Sequence, residues 1–147
     1  MSFNESVIRE FRANGGVVGG ELARMRLLLL TTIGARSGRP RTTPLAYLRR
    51  DDRYIVIASN GGAARHPDWF RNLEQNATVT IEVGVEVLRA IARILDGAER
   101  DAVFAAVVEH APSAGTFQAT AGRTIPVIEL EPLRDASRTS GARRARR

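Results

Sequence analysis

Cysteine is missing from this chain, and so is lysine: all 22 basic side chains are arginines. Without cysteine there is no disulfide framework and no thiolate metal site. Two histidines, His66 and His110, are too few for a typical zinc cluster, so no metal site is expected. Long apolar runs are missing too. The longest solid aliphatic stretch is Leu27, Leu28, Leu29 and Leu30, far short of the roughly 20 residues that span a bilayer. Residues 1–14 are polar, carry Glu5 and Glu10, and lack the apolar centre of a secretory signal. These absences predict a soluble, cytoplasmic protein, with peripheral membrane contact left open. The chain has no G-x-G-x-x-G and no P-loop, which removes support for a Rossmann or nucleotide-triphosphatase reading. It also offers no Ser/His/Asp triad and no paired carboxylates.

What is present is enough for one domain. The 147 residues are 44% hydrophobic, which supports a buried core. The formal charge of +6 is unevenly spread. Residues 134–147 hold six arginines and one acid, a balance of +5; the other 133 residues are left with +1. The expectation is a nearly neutral folded body, 1–133, and a disordered arginine-rich tail, 134–147. A near-neutral body argues against nucleic acid as a partner. A basic tail can contact anionic lipid.

The pattern predicts a helix over 3–13, opened by a capping box at Ser2 and Glu5. Phe3, Val7, Ile8 and Phe11 share one face, which suits packing on a barrel or lying on a membrane surface. Strands are expected over 26–32, 42–50 and 53–59, with Asp51 and Asp52 as a tight turn between the last two. A short helix from Pro67 through Asn76 follows, then strands 78–83 and 86–95 hinged at Gly84, and a helix 98–110. Residues 112–122 read as a loop of small residues. A last strand, 124–130, carries Pro126, which suggests an edge position or a bulge. Successive antiparallel strands with few crossovers favour a small barrel, α+β in class, with about three flanking helices.

The most informative segment is 31–45. Two glycines, two prolines and three arginines sit between an apolar strand and the next one. Glycines permit sharp turns that expose N–H groups, and arginine forks grip phosphate or carboxylate in bidentate fashion. The segment suits holding an anion. A second segment, 58–73, begins Ala58, Ser59, Asn60, Gly61, Gly62, Ala63 and continues through His66, Pro67, Trp69, Phe70, Asn72 and Leu73.

With Arg123, Thr124, Ile125, Pro126 and Val127, these segments resemble the deazaflavin-dependent nitroreductase family, the coenzyme F420-dependent quinone and nitro reductases. The resemblance covers about residues 4–132. It implies a split β-barrel related to flavin-mononucleotide-binding oxidoreductases. It also implies coenzyme F420 as cofactor and hydride transfer to a quinone-like or other small electrophilic acceptor. Two alternatives stay open: a barrel that binds FMN, and a non-catalytic F420 carrier. A monomer or a homodimer would serve equally. The cofactor carries the hydride chemistry, so no catalytic side chain is expected.

Carried onto this chain, the resemblance assigns Arg36 and Arg41 to the coenzyme's phosphate and glutamate carboxylates. Ser37, Gly38, Thr42 and Thr43 add donors there, and Pro44 sets the start of the next strand. Ala58, Ser59, Asn60, Gly61 and Gly62 pass by the deazaflavin ring, with His66 and Trp69 beside the site. Asn60 stands where many family members have lysine. Tyr47 and Phe117 are the expected substrate contacts. Only Phe117 is aromatic in the region 111–117, where relatives that reduce bulky nitro compounds carry tyrosines. Quinones are therefore the expected acceptors, and nitroimidazoles poor ones.

Overall fold

The computed structural model describes residues 2–133. The predicted tail, 134–147, lies outside the described residues. Seven strands form one antiparallel sheet: β1 Leu27–Ile33, β2 Pro40–Ala46, β3 Leu48–Arg50, β4 Arg53–Ile57, β5 Thr78–Val83, β6 Glu86–Ile94 and β7 Val127–Pro132. Among the described residues, four α-helices accompany it: α1 Phe3–Ala13, α2 Asp68–Gln75, α3 Gly97–His110 and α4 Ser113–Ala121.

The strand order β2-β1-β5-β6-β7-β4-β3 puts β2 and β3 at opposite edges. Yet Tyr47 alone separates the end of β2 from the start of β3. Two residues reach only about 7 Å. The sheet must therefore curl until its edges nearly meet, which makes a split barrel. The single strand expected over 42–50 is divided for the same reason. Up to Ala46 the chain pairs with β1, and from Leu48 it pairs with β4. Tyr47 packs edge-on against Tyr54, with ring centroids 5.3 Å apart.

Strand β1 is buried on both faces, which explains its unbroken leucines. Leu28 and Leu30 point into the barrel core with Ile81, Val56, Leu130 and Trp69. Leu27 and Leu29 point outward onto Val7 and Phe11 of α1. Burying a side chain such as Phe11 is worth about 1.5–3 kcal/mol. Helix α1 is further fixed by Arg12, whose Nε and Nη2 donate to the two oxygens of Glu82 on β5 at 3.0 and 2.8 Å. It is thus a barrel-packed helix, opened by the expected capping box. Phe3, assigned to its apolar face, instead lies 66% exposed beyond the packed turns.

Two expectations about the C-terminal third change. The small-residue segment 112–122 is helical as α4. Its residues are small because they pack closely: Ala114 and Ala121 are buried, and Gly115 lies against Val108 of α3. Gly122 ends the helix at φ 68°, a left-handed cap. Four helices therefore flank the barrel where about three were expected. The last strand starts later than expected, at Val127, and sits between β4 and β6, not at an edge. Pro126 falls just before the ladder, so its missing N–H costs no strand bond. Its carbonyl accepts from Ala58 N at 3.0 Å.

Candidate active site

A groove lies between β2 and the turn after β4, with a volume of about 530 Å³. Thr43 and Leu45 of β2 form one wall; Ile57, Ser59, Asn60 and Gly61, at the end of β4 and beyond, form the other. His66, Pro67 and Trp69 close one end, and Asn4 at the start of α1 reaches it as well. Trp69 belongs both to this wall and to the core, being only 6% exposed.

The pleat of β2 sorts the residues of the anion segment. Arg41, Thr43 and Leu45 stand opposite Thr32, Leu30 and Leu28, so all three project from the barrel-facing side. Arg41 is thus one pleat repeat, about 7 Å, from groove-lining Thr43. Thr42 and Pro44 project from the other side. Thr42 Oγ1 is 2.8 Å from Thr31 Oγ1 there. Ser37 Oγ accepts from Arg39 N at 3.1 Å, and Gly38 N donates to Gly34 O, so this hydroxyl braces the turn itself. Among the described residues, the guanidinium groups of Arg36, Arg39 and Arg41 make no hydrogen bond or ion pair. Exposed, unpaired guanidiniums at Arg36 and Arg39 of the loop and at Arg41 near the start of β2 put like charge in one short segment, and such charges gain by meeting an anion.

The loop is held from behind by a residue that sequence reasoning passed over. Asn72 of α2 is 7% exposed. Its Oδ1 accepts from Ala35 N at 2.9 Å, and its Nδ2 donates to Thr32 Oγ1 at 3.0 Å. One amide thereby fixes the anion loop to α2, which also carries Trp69. The signal was present as the asparagine of the Pro-x-Trp-Phe-x-Asn-Leu pattern. In the variant Asn72→Leu we expect the Ala35 N–H and the buried Thr32 hydroxyl to lose their partner, costing about 2–3 kcal/mol in urea unfolding. An unchanged midpoint would show that water replaces the amide.

The opposite wall is a tight turn. Ser59 is right-handed, at φ −74° and ψ −30°, and Asn60 follows at φ 49°. Such a right-then-left pair turns successive N–H groups toward one side, a concavity suited to an anionic or carbonyl oxygen. Among the described residues, the N–H groups of Ser59, Asn60 and Gly61 make no hydrogen bond. Those of Gly62 and Ala63 donate to Ser59 O and Asn60 O. The Asn60 side chain closes the loop by donating to Arg65 O at 3.0 Å. Gly62 has a different reason to be glycine. At φ 85°, a Cβ there would meet Thr120 Oγ1 at 2.6 Å, so its smallness lets α4 dock on the turn. Phe117 packs at the same place, beside Gly62. Neither Phe117 nor Tyr47 is among the groove-lining residues.

The second missed residue is Arg123. Its Nε donates to Ala63 O at 3.0 Å, and its Nη2 lies 3.1–3.2 Å from the carbonyl oxygens of Ala58, Ser59 and Arg65. Its Nη1 is 2.9 Å from His66 Nδ1. One guanidinium thus gathers the whole turn. It is aimed by its own neighbours: Gln118 Nε2 donates to Arg123 O at 2.6 Å, and Ile125 N donates to Gln118 Oε1 at 2.9 Å. Burial, then the charge of Arg123, pushes the His66 pKa below its ordinary value.

A split barrel with an open groove, an apolar wall and nearby unpaired arginines has chemistry suited to a flat, anionic cofactor. The comparisons narrow that class. Residues 4–132 match the family model described as F420H(2)-dependent quinone reductase, and the chain belongs to that family. An F420H(2)-dependent quinone reductase of Mycobacterium tuberculosis (strain ATCC 25618 / H37Rv) is 35% identical over 124 residues, covering 82% of this chain and 83% of that protein. Among solved structures, an F420-H2 dependent reductase (FDR-A) superposes with a TM-score of 0.67 at 37% identity, covering 72% of this chain and 94% of that one. Another, described as a domain-swapped dimer, gives a TM-score of 0.69 at 34% identity and covers 86% and 95%.

Proposed function

We propose that this protein is an F420-dependent reductase that passes a hydride from the reduced coenzyme to a quinone-like acceptor. The observation that carries the reading is the unpaired Arg41 on the same strand face as groove-lining Thr43 and Leu45. The residues present fit the coenzyme's chemistry. Arg36 and Arg41 would hold its phosphate and glutamate carboxylates, with Thr43 and the backbone N–H of Ser37 adding donors. The free N–H groups of Ser59, Asn60 and Gly61 suit ring oxygens. Leu45, Ile57 and Trp69 supply an apolar surface for the ring and exclude water from it. When bound, F420 supplies the hydride; the protein binds and orients. Phe117 bears on the acceptor side through the turn it supports. The domain-swapped dimer among the similar structures favours the homodimer over the monomer. Among the described residues no helix is long and apolar enough to cross a membrane.

Titrating the apo protein with F420 and with FMN, each followed by fluorescence quenching, tests this directly. We expect F420 to bind far more tightly, and the loaded protein to reduce menadione while turning over bicyclic nitroimidazoles weakly. Tighter FMN binding would replace the assignment with an FMN barrel. Tight F420 binding without reduction of any quinone would point to a carrier.

A further inference from the structure

We propose that Arg123 is a positioning residue that holds His66 as the neutral Nε2–H tautomer, and that this N–H donates a hydrogen bond to an anionic oxygen in the groove. The nature of that oxygen rests on the F420 reading; the tautomer does not. A guanidinium has donors and no acceptor. Its 2.9 Å contact with His66 Nδ1 therefore requires a lone pair on that nitrogen, which leaves the ring proton on Nε2. Arg123 cannot easily turn away, because Ala58, Ser59, Ala63 and Arg65 hold its other nitrogens.

The surroundings favour the uncharged ring. It is tilted against Phe70, with centroids 4.7 Å apart. Burial is the largest single influence against a positive ring; Arg123 and Arg71 add to it, and Glu74 opposes them. Arg65 and Asp68, paired with each other at 3.7 Å, share the groove wall. Among the described residues Nε2 has no partner, although His66 lines the groove. A neutral imidazole N–H is a known device for polarising an oxygen that gains negative charge. Its advantage is that the bond persists at any pH above the lowered pKa.

Ring-nitrogen NMR of the apo protein tests the tautomer without any coenzyme. The chain has 2 histidines, and the other is an internal reference. His110 Nδ1 lies 3.0 Å from the Ala106 carbonyl, which only accepts, so neutral His110 carries its proton on Nδ1. We expect His66 to show the opposite pattern, and Arg123→Gln, which removes the charge and offers an amide that either donates or accepts, to mix its tautomers and raise its apparent pKa. An Nδ1–H ring in the wild type, or an unchanged ring in folded Arg123→Gln, would overturn the proposal.

The donor half is tested by a pair of substitutions. In His66→Asn the side-chain oxygen can still accept from Arg123, but no donor stands at the Nε2 position. In His66→Gln the amide can restore that donor. We expect His66→Asn to lose about tenfold, and His66→Gln to recover most of it. A loss in the F420 dissociation constant assigns the coenzyme's oxygen; a loss confined to kcat with menadione assigns the acceptor's. Equal behaviour of the two variants in both measurements sinks the donor role. A wild type that binds no F420 would instead overturn the functional reading, before any variant is compared.

Discussion

Replacing Arg41 by alanine is expected to weaken F420 binding by about 1.5–3 kcal/mol, roughly ten- to a hundredfold in dissociation constant. The side chain is exposed and has no described partner, so its removal breaks nothing inside the protein. What it removes is a charge-assisted contact to the coenzyme's anionic arm. Arg36→Ala should act in the same direction, and the double variant should bind worse than either single one. The effect has a signature beyond its size. Wild-type affinity should fall with ionic strength, because exposed charges are screened over about 8 Å at physiological salt. That dependence should be shallower in the variants. Thermal unfolding should barely move. An unchanged dissociation constant in folded Arg41→Ala would make this residue an ordinary solvated side chain near the start of β2.

The second large effect is on stability and is expected at Arg123. Alanine there leaves the carbonyls of Ala58, Ser59, Ala63 and Arg65 to water and frees His66 Nδ1. We expect a loss of about 2–4 kcal/mol in urea unfolding, with weakened F420 binding, since the turn carrying Ser59, Asn60 and Gly61 is no longer held. Lysine should rescue little, because one ammonium cannot span the acceptors that a planar fork reaches. The same contact makes a pH prediction. The folded-state pKa of His66 lies below the ordinary value of 6.5. Between the two values the unfolded chain binds more protons, so stability rises with pH in that window. The contribution is whole above 6.5 and is lost as pH falls through the lowered folded value. Removing the Arg123 charge should narrow the window and leave the part due to burial. Urea midpoints between pH 4 and pH 8 would show it; identical pH curves for the two proteins would mean that this pair does not shape stability.

Arg36 and Arg41 were legible because of what surrounds them. Glycines, prolines and arginines in place of an apolar pattern mark a loop meant for something other than packing. Asn72 and Arg123 were less legible, although both lie inside patterned segments. A polar residue on a helix, or one after a small-residue stretch, says nothing of what it will bond. Asn72 reaches back 37 positions to Ala35, and Arg123 reaches back 57 to His66. Helix α4 was hidden for a related reason. Its residues are small and mostly uncharged, so they lack the large periodic side chains that announce a helix.

Much of this protein is written locally. The solid leucines of β1, the capping box of α1, the Asp51 and Asp52 turn and the alternation along β5 follow from short-range chemistry and solvent exclusion. So does the exposed cationic character of the first loop, since charge, glycine and proline act where they stand. The tertiary structure decided what needed distant partners. Curling the sheet brought edges β2 and β3 together and set β2 beside the end of β4, where the groove lies. The pleat of β2 then chose Arg41 and Thr43 for the barrel side and sent Thr42 to the other. The docking of α4 demanded glycine at Gly62, and Arg123 selected one tautomer of His66. These are choices of face, contact and proton position. They are set by which surfaces meet, and a linear sequence specifies such meetings only through the whole fold.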